Sequence, residues 1–215
     1  MKTIAFSFAA ALAAATGGHA AVVGYTSEAA WLAAAGGGLS FEGFDGIASD
    51  TSFAGAPLDV GDFTISYTGS ISGGSFNYID TLPPSSPNNL FASNAMIGGV
   101  NEGETVTLTF DSAITSFGAS FAALNDNADR SVFEVGGSTL QLAQNTGLVI
   151  EFFGVVSDTP FTEFTLRGLA ASEGYGMDNV RYGVEQTVVP LPASALLLGS
   201  GLALVGGLSR RRRRS

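Results

Sequence analysis

Glu104-Thr105-Val106-Thr107-Leu108-Thr109-Phe110 alternates more cleanly than any other stretch of this 215-residue chain. Val106, Leu108 and Phe110 fall on one side of an extended backbone, and Thr105, Thr107 and Thr109 on the other. Successive side chains of a strand point to opposite faces, so the pattern predicts a strand with one face in a core and one toward water. Threonine and valine are β-branched and suit that conformation.

The same period spreads outward. Phe117, Ala119 and Phe121 continue it, and Phe63, Ile65 and Tyr67 alternate with Thr64 and Ser66. Residues 39–44, 131–135, 139–142, 148–156, 161–166 and 177–184 complete the set, separated by Gly, Asn, Asp and Pro. Many short strands at this spacing predict an all-β fold, an antiparallel β-sandwich. A jelly-roll-like arrangement is expected over an immunoglobulin-like one, because the chain has no cysteine and so no Cys-Trp-Cys framework.

One helix is expected, residues 26–35. Thr26 or Ser27 caps it, Glu28 sits in its first turn, and Gly36-Gly37-Gly38 stops it. Ala29, Trp31, Leu32 and Ala35 are placed on or near one face, with Trp31 as a core anchor. Residues 70–94 hold Gly73-Gly74, Pro83-Pro84 and Pro87-Asn88-Asn89, and read as a long surface loop with one strand near 76–79.

The ends differ from the middle. Residues 1–20 read as a secretory signal peptide: Lys2 gives the positive start, an apolar run follows, and Gly18, His19 and Ala20 precede cleavage after Ala20. Residues 21–187 form the ectodomain, long enough to bury a core without metals or disulfides. Residues 188–215 form a tail in three parts: the motif Val189-Pro190-Leu191-Pro192-Ala193, an apolar run over 193–208, and Arg210, Arg211, Arg212, Arg213 and Arg214. The run spans ~24 Å as a helix against a hydrocarbon core of ~30 Å. Counted from Val188 it is adequate as a transmembrane helix. The arginines place the C-terminus on the cytoplasmic side, with the domain outside.

Charge and composition exclude several chemistries. Lys2 and the five tail arginines leave Arg130, Arg167 and Arg181 against all 19 acids, so residues 21–187 carry −16 and no lysine. Such a surface repels nucleic acid and anionic lipid. The one histidine, His19, lies in the signal peptide. The ectodomain therefore lacks imidazole and thiol, which excludes Ser-His-Asp and cysteine catalysis and His or Cys zinc sites.

The order of motif, apolar helix and arginine cluster resembles the PEP-CTERM sorting signal of Gram-negative bacteria. Val189-Pro190-Leu191-Pro192-Ala193 is similar to its VPLPA-CTERM variant, with Leu191 where the usual motif has Glu. The resemblance implies export, an inner-membrane intermediate, and recognition by an exosortase after signal peptidase has acted. It further implies display at the cell surface or in the extracellular matrix, with exopolysaccharide and biofilm as the setting. The ectodomain is also similar to domains that carry this tail, through Tyr25-Thr26-Ser27-Glu28-Ala29-Ala30-Trp31, Phe41-Glu42-Gly43-Phe44, Phe153-Gly154-Val155-Val156-Ser157 and Gly176-Met177-Asp178-Asn179-Val180-Arg181-Tyr182. A tail kept as a permanent single-pass anchor is the open alternative. A Gram-positive wall-sorting signal is set aside, since Leu191-Pro192-Ala193 is not followed by Thr-Gly.

Glu42 on an early strand and Asp178 near the last have the placement of a structural calcium site in carbohydrate-binding jelly rolls, with Asp45 and backbone carbonyls as further oxygens. Asn125, Asp126, Asn127 and Asp129 resemble the start of a calcium loop. Arg130 stands where that loop needs Gly and Gly136 where it needs Glu, so the segment is read as a turn. Threonines 105, 107 and 109 form one row only, which does not make an ice-binding array. No carboxylate pair is singled out for glycoside hydrolysis, and no enzyme activity is expected. A carbohydrate-binding module using residues 70–94 and Tyr78 is the alternative to a structural, polysaccharide-associated protein.

Overall fold

The computed structural model describes residues 21–70, 76–81, 90–126, 129–145, 149–171 and 173–184. The expected signal peptide, sorting motif and transmembrane run, and the arginine cluster, lie outside the described residues. The described part is mostly antiparallel β-sheet with one short helix, as the alternation predicts.

In chain order the elements are β1 (Val22–Tyr25), α1 (Glu28–Ala35), β2 (Ser40–Glu42), β3 (Thr51–Ser52), β4 (Leu58–Asp59), β5 (Phe63–Thr68), β6 (Tyr78–Asp80), β7 (Ala95–Val100), β8 (Thr105–Ala122), β9 (Ser131–Val135), β10 (Ser138–Gln141), β11 (Ile150–Gly168) and β12 (Glu173–Gly183). The strand that opened the analysis continues without a break into the next one. β8 has 18 residues and β11 has 19. Each was expected as two strands.

These two long strands organise the sheet. Residues 105–110 of β8 pair with β5 on one side and with 163–167 of β11 on the other, followed by β9 and β10. Residues 116–122 of β8 pair with 150–156 of β11 and with β12, which carries β7 and β2. The β8–β11 register shifts between Val156 and Phe161 and again before Glu163. Pro160 sits in that interval and has no N–H for a ladder bond. Bulges of this kind bend a strand and sharpen its twist.

Aromatic rings from strands in both parts of the sheet meet in the core. Phe117 stacks on Phe164 with centroids 3.9 Å apart. Phe133 meets Phe164 at 4.5 Å and Phe153 at 4.7 Å. Phe110 lies 5.1 Å from Tyr182, and Phe63 5.5 Å from the same ring. Val106, Leu108 and Phe110 are all buried, as their side of the alternation requires.

Helix α1 begins two residues later than the composition suggested. Ser27 caps it, its hydroxyl accepting from the Ala30 N–H, and Gly36 ends it at φ +77°. Trp31 is fully buried, and its Nε1–H donates to the Val155 carbonyl at 3.0 Å. Gly118 and Gly154 make its seat: a Cβ at Gly154 would stand 2.6 Å from the indole. Leu32 and Ala29 are exposed, contrary to the single apolar face expected. The glycine seat takes one large ring and leaves the neighbouring side chains outside.

Strand β7 was not foreseen. Ala95-Met96-Ile97-Gly98-Gly99-Val100 is buried at every position, so it has no alternation to read. Its glycines are spaces for rings: a Cβ at Gly98 would lie 2.3 Å from Tyr175, and one at Gly99 2.6 Å from Phe76. Glu104 corrects the opening stretch, since β8 starts at Thr105. Its carboxylate takes the N–H groups of Ser70 and Asn101, both at 2.8 Å, and the Ser70 hydroxyl at 3.0 Å. Burial works to raise its pKa, but these bonds and one from Tyr67 outweigh it and hold the group at about 2.

Candidate functional site

A groove of about 290 Å³ opens where β5 begins, β8 turns between its halves, and β12 ends. Phe110, Ile114, Tyr182 and Val184 are among the residues that line it, Phe110 and Tyr182 being almost fully buried. Asp62 and Asp111 stand at its mouth, exposed. The sheet register puts them there. Phe63 pairs with Phe110, so Asp62 and Asp111 are the next residues out, joined by an Asp111 N–H bond to the Asp62 carbonyl at 3.0 Å.

The Tyr182 hydroxyl donates to Asp62 Oδ2 at 3.0 Å. Burial, then that bond and the charge of Asp62, push the phenol up to about 12. It is a fixed hydrogen-bond donor through the physiological range. The described arginines are engaged elsewhere. Arg167 pairs with Glu134 at 2.7 Å, Arg181 pairs with Glu28 and covers the Phe41 ring at 5.5 Å, and Arg130 acts on Glu173.

The expected calcium residues do come together. β2 pairs with β12 through Val180 and Glu42, which brings Asp178 beside Gly43. Asp178 is buried, and its carboxyl is pushed up to about 6 by desolvation, opposed by bonds from Asn179 N–H and Ser93, and raised further by Asp45 and Glu42. Glu42 Oε1 already accepts from the Phe44 N–H at 2.5 Å, and Asp178 Oδ1 from the Asn179 N–H at 2.6 Å. Among the described residues no group of three or more acidic, His or Cys side chains is gathered as a metal site. Calcium takes six to eight oxygens. Glu42 and Asp178 supply two carboxylates, and the remaining oxygens would have to come from Asp45, backbone or solvent.

The segment read as a turn is one, in its described residues. Asn125 and Asp129 both have positive φ, and Asn125 Oδ1 accepts from the Arg130 N–H at 2.9 Å. Asn127 lies outside the described residues. The turn is tied to β12, because the Asn125 N–H donates to Glu173 Oε1. Glu173 is buried, its Oε2 has no hydrogen-bond partner among the described residues, and its carboxyl is pushed up to about 7, mainly by desolvation.

Tyr78 is half-buried on β6, with its phenol raised by burial and by Asp80 and Asp50. Much of the loop around it lies outside the described residues. No helix among the described residues is long and apolar enough to cross a membrane. No protein-family model matches the chain, and no curated protein matches it.

The groove was missed in the sequence for a definite reason. Asp62 and Asp111 each flank an aromatic residue at the end of an alternating run. That signal does not say which strand ends meet, and only the register does.

Proposed function

We propose that this chain is an exported envelope protein, sorted by an exosortase-type C-terminal signal, whose β-rich domain is displayed as a structural, exopolysaccharide-associated module. One observation carries the reading: Val189-Pro190-Leu191-Pro192-Ala193, the apolar run over 193–208 and Arg210 to Arg214 stand in the order of a PEP-CTERM tail. The prolines keep the motif extended, while an apolar helix and arginines hold it at the membrane. The signal-like residues 1–20 support export. The pairing of β2 with the last strand, β12, suits a jelly roll. The ectodomain contains neither His nor Cys, which supports a non-catalytic role.

A carbohydrate-binding module is the second reading, favoured by the groove at Asp62, Asp111 and Tyr182. Its position differs from the loop expected from the sequence. The sorting reading is tested by Pro190→Ala with Pro192→Ala in the native host. The full-length variant should accumulate in the inner membrane while the parent chain moves outward. An unchanged distribution would remove the motif from the account.

A further inference from the structure

The corner where β8 ends is held together through one residue. Asn125 Nδ2 donates to the carbonyls of Leu142 and Ala143, each at 3.2 Å. The Asn125 carbonyl accepts from the Asn145 N–H at 3.2 Å, and its Oδ1 accepts from the Arg130 N–H at 2.9 Å. Asn125 therefore ties residues 142–145 to the end of β8. The backbone here is strained: Ala123 stands at φ +59° and Asn125 at +55°, a left-handed region that an alanine enters only at a cost. Such a corner keeps its shape while its surroundings hold it. Glu173 of β12 is what holds it, because its Oε1 accepts from the Asn125 N–H. Glu173 is almost fully buried, and its Oε2 has no hydrogen-bond partner among the described residues. A carboxyl so placed is tolerated as the neutral acid and poorly as the anion.

We propose that Glu173 is a proton-operated latch: as the neutral acid it keeps residues 123–126 and 142–145 closed over the core, and as the carboxylate it reaches water by opening them. The proton passes to solvent in that step. The groups around Glu173 do not reverse the preference for the neutral form. From the corner, Asp126 opposes its ionisation and Arg130 favours it, while Asp129 is exposed and bonded to Gln141. On β12 its neighbour is the Tyr175 phenol, itself held neutral by burial, and on β7 it pairs with Val100, which carries no charge. Desolvation is the largest influence, so the folded carboxyl stands at about 7 against 4.5 for the free side chain. The closed form is thus complete below 4.5 and gives way as the pH rises through 7. Opening uncovers Leu124 and Leu142, both buried, which line a narrow cleft with Phe121, Phe152 and Phe153. The β8–β11 ladder beside it does not pass through the latch and stays paired. The domain therefore hides an apolar surface in acid and presents it in neutral to alkaline medium.

The test is hydrogen exchange of the full chain, read by mass spectrometry from about pH 5 to 8.5 and corrected for the intrinsic pH dependence of exchange. An opening that releases one proton grows about tenfold per pH unit. Protection of residues 123–126 and 142–145 should fall by that factor between about pH 5 and 7, while residues 116–122 and 150–156 stay protected over the same labelling times. Nile red, a neutral apolar dye, should brighten with the same midpoint. Glu173→Gln cannot ionise, and should abolish the pH dependence of both signals. Asp126→Asn removes a charge that opposes ionisation and should move the midpoint to lower pH, which keeps the test decisive if the first variant does not fold. The melting temperature of each variant checks its fold. Wild-type protection that does not change with pH would overturn the proposal. So would the same fall in folded Glu173→Gln, or a midpoint unmoved in folded Asp126→Asn. Exchange of all four segments together would mean that the whole domain unfolds and that there is no latch.

Discussion

Glu173→Gln is expected to make the domain more stable at pH 8. Glu173 is about 1% exposed, one carboxylate oxygen takes the Asn125 N–H, and the other has no partner among the described residues. Its folded pKa is about 7, against 4.5 for the free side chain. The folded chain therefore holds a proton that the unfolded chain has released between those values. Stability from this group is fully present below pH 4.5 and is lost as the pH rises through 7. At 1.36 kcal/mol per unit the loss has a ceiling of about 3 kcal/mol. Glutamine keeps an acceptor for Asn125 and removes the charge, but its amide nitrogen inherits the unpartnered position at a cost of about 1–2 kcal/mol. The net gain at pH 8 is then roughly 1–2 kcal/mol, falling to nothing or a small loss at pH 4. Urea unfolding from pH 4 to 8, followed by fluorescence of Trp31, the chain's one tryptophan, measures it. A wild-type stability that stays level from pH 5 to 8, or a variant weaker than wild type at pH 8, would refute the reasoning.

Three more outcomes follow from the packing and the paired acids. Glu104→Gln should cost about 1–3 kcal/mol at neutral pH by weakening the bonds to Ser70 and Asn101. Because its folded pKa is depressed to about 2, the wild-type advantage is present above 4.5 and vanishes as the pH falls toward 2, which acid titration of unfolding should show. Gly98→Ala should destabilise by about 1–3 kcal/mol, since the new methyl meets the buried Tyr175 ring, and thermal unfolding reads it directly. Millimolar calcium and chelator should leave the melting temperature unchanged, since no group of three or more acidic side chains is gathered as a metal site among the described residues. A rise abolished by Asp178→Asn would show that backbone oxygens complete a cage around Glu42 and Asp178.

Where one face of a strand meets the core and the other meets solvent, the residues announce it. Val106, Leu108 and Phe110 alternate with threonines and are buried as read. Trp31 and the Gly36 stop were legible because a large ring and a left-handed backbone each limit what surrounds them. β7 was not, since both its faces are covered and its two glycines break the apolar run. Nor was the continuity of β8 and β11, because Asp111, Ser112 and Pro160 look like breaks and are bends in paired strands. Glu42 and Asp178 are brought near each other by the β2–β12 register. Asp62 and Asp111 met through a register that nothing in their local sequence encodes.

The central claim is that the chain is exported and sorted by its tail. Intact mass of the protein recovered from its native host, by membrane, envelope and medium fraction, tests it most directly. The account predicts a chain that begins at Ala21, ends near Pro190 to Ala193, and lies away from the inner membrane. A chain still ending at Ser215 and wholly in the membrane would make the tail a permanent anchor and contradict the sorting reading.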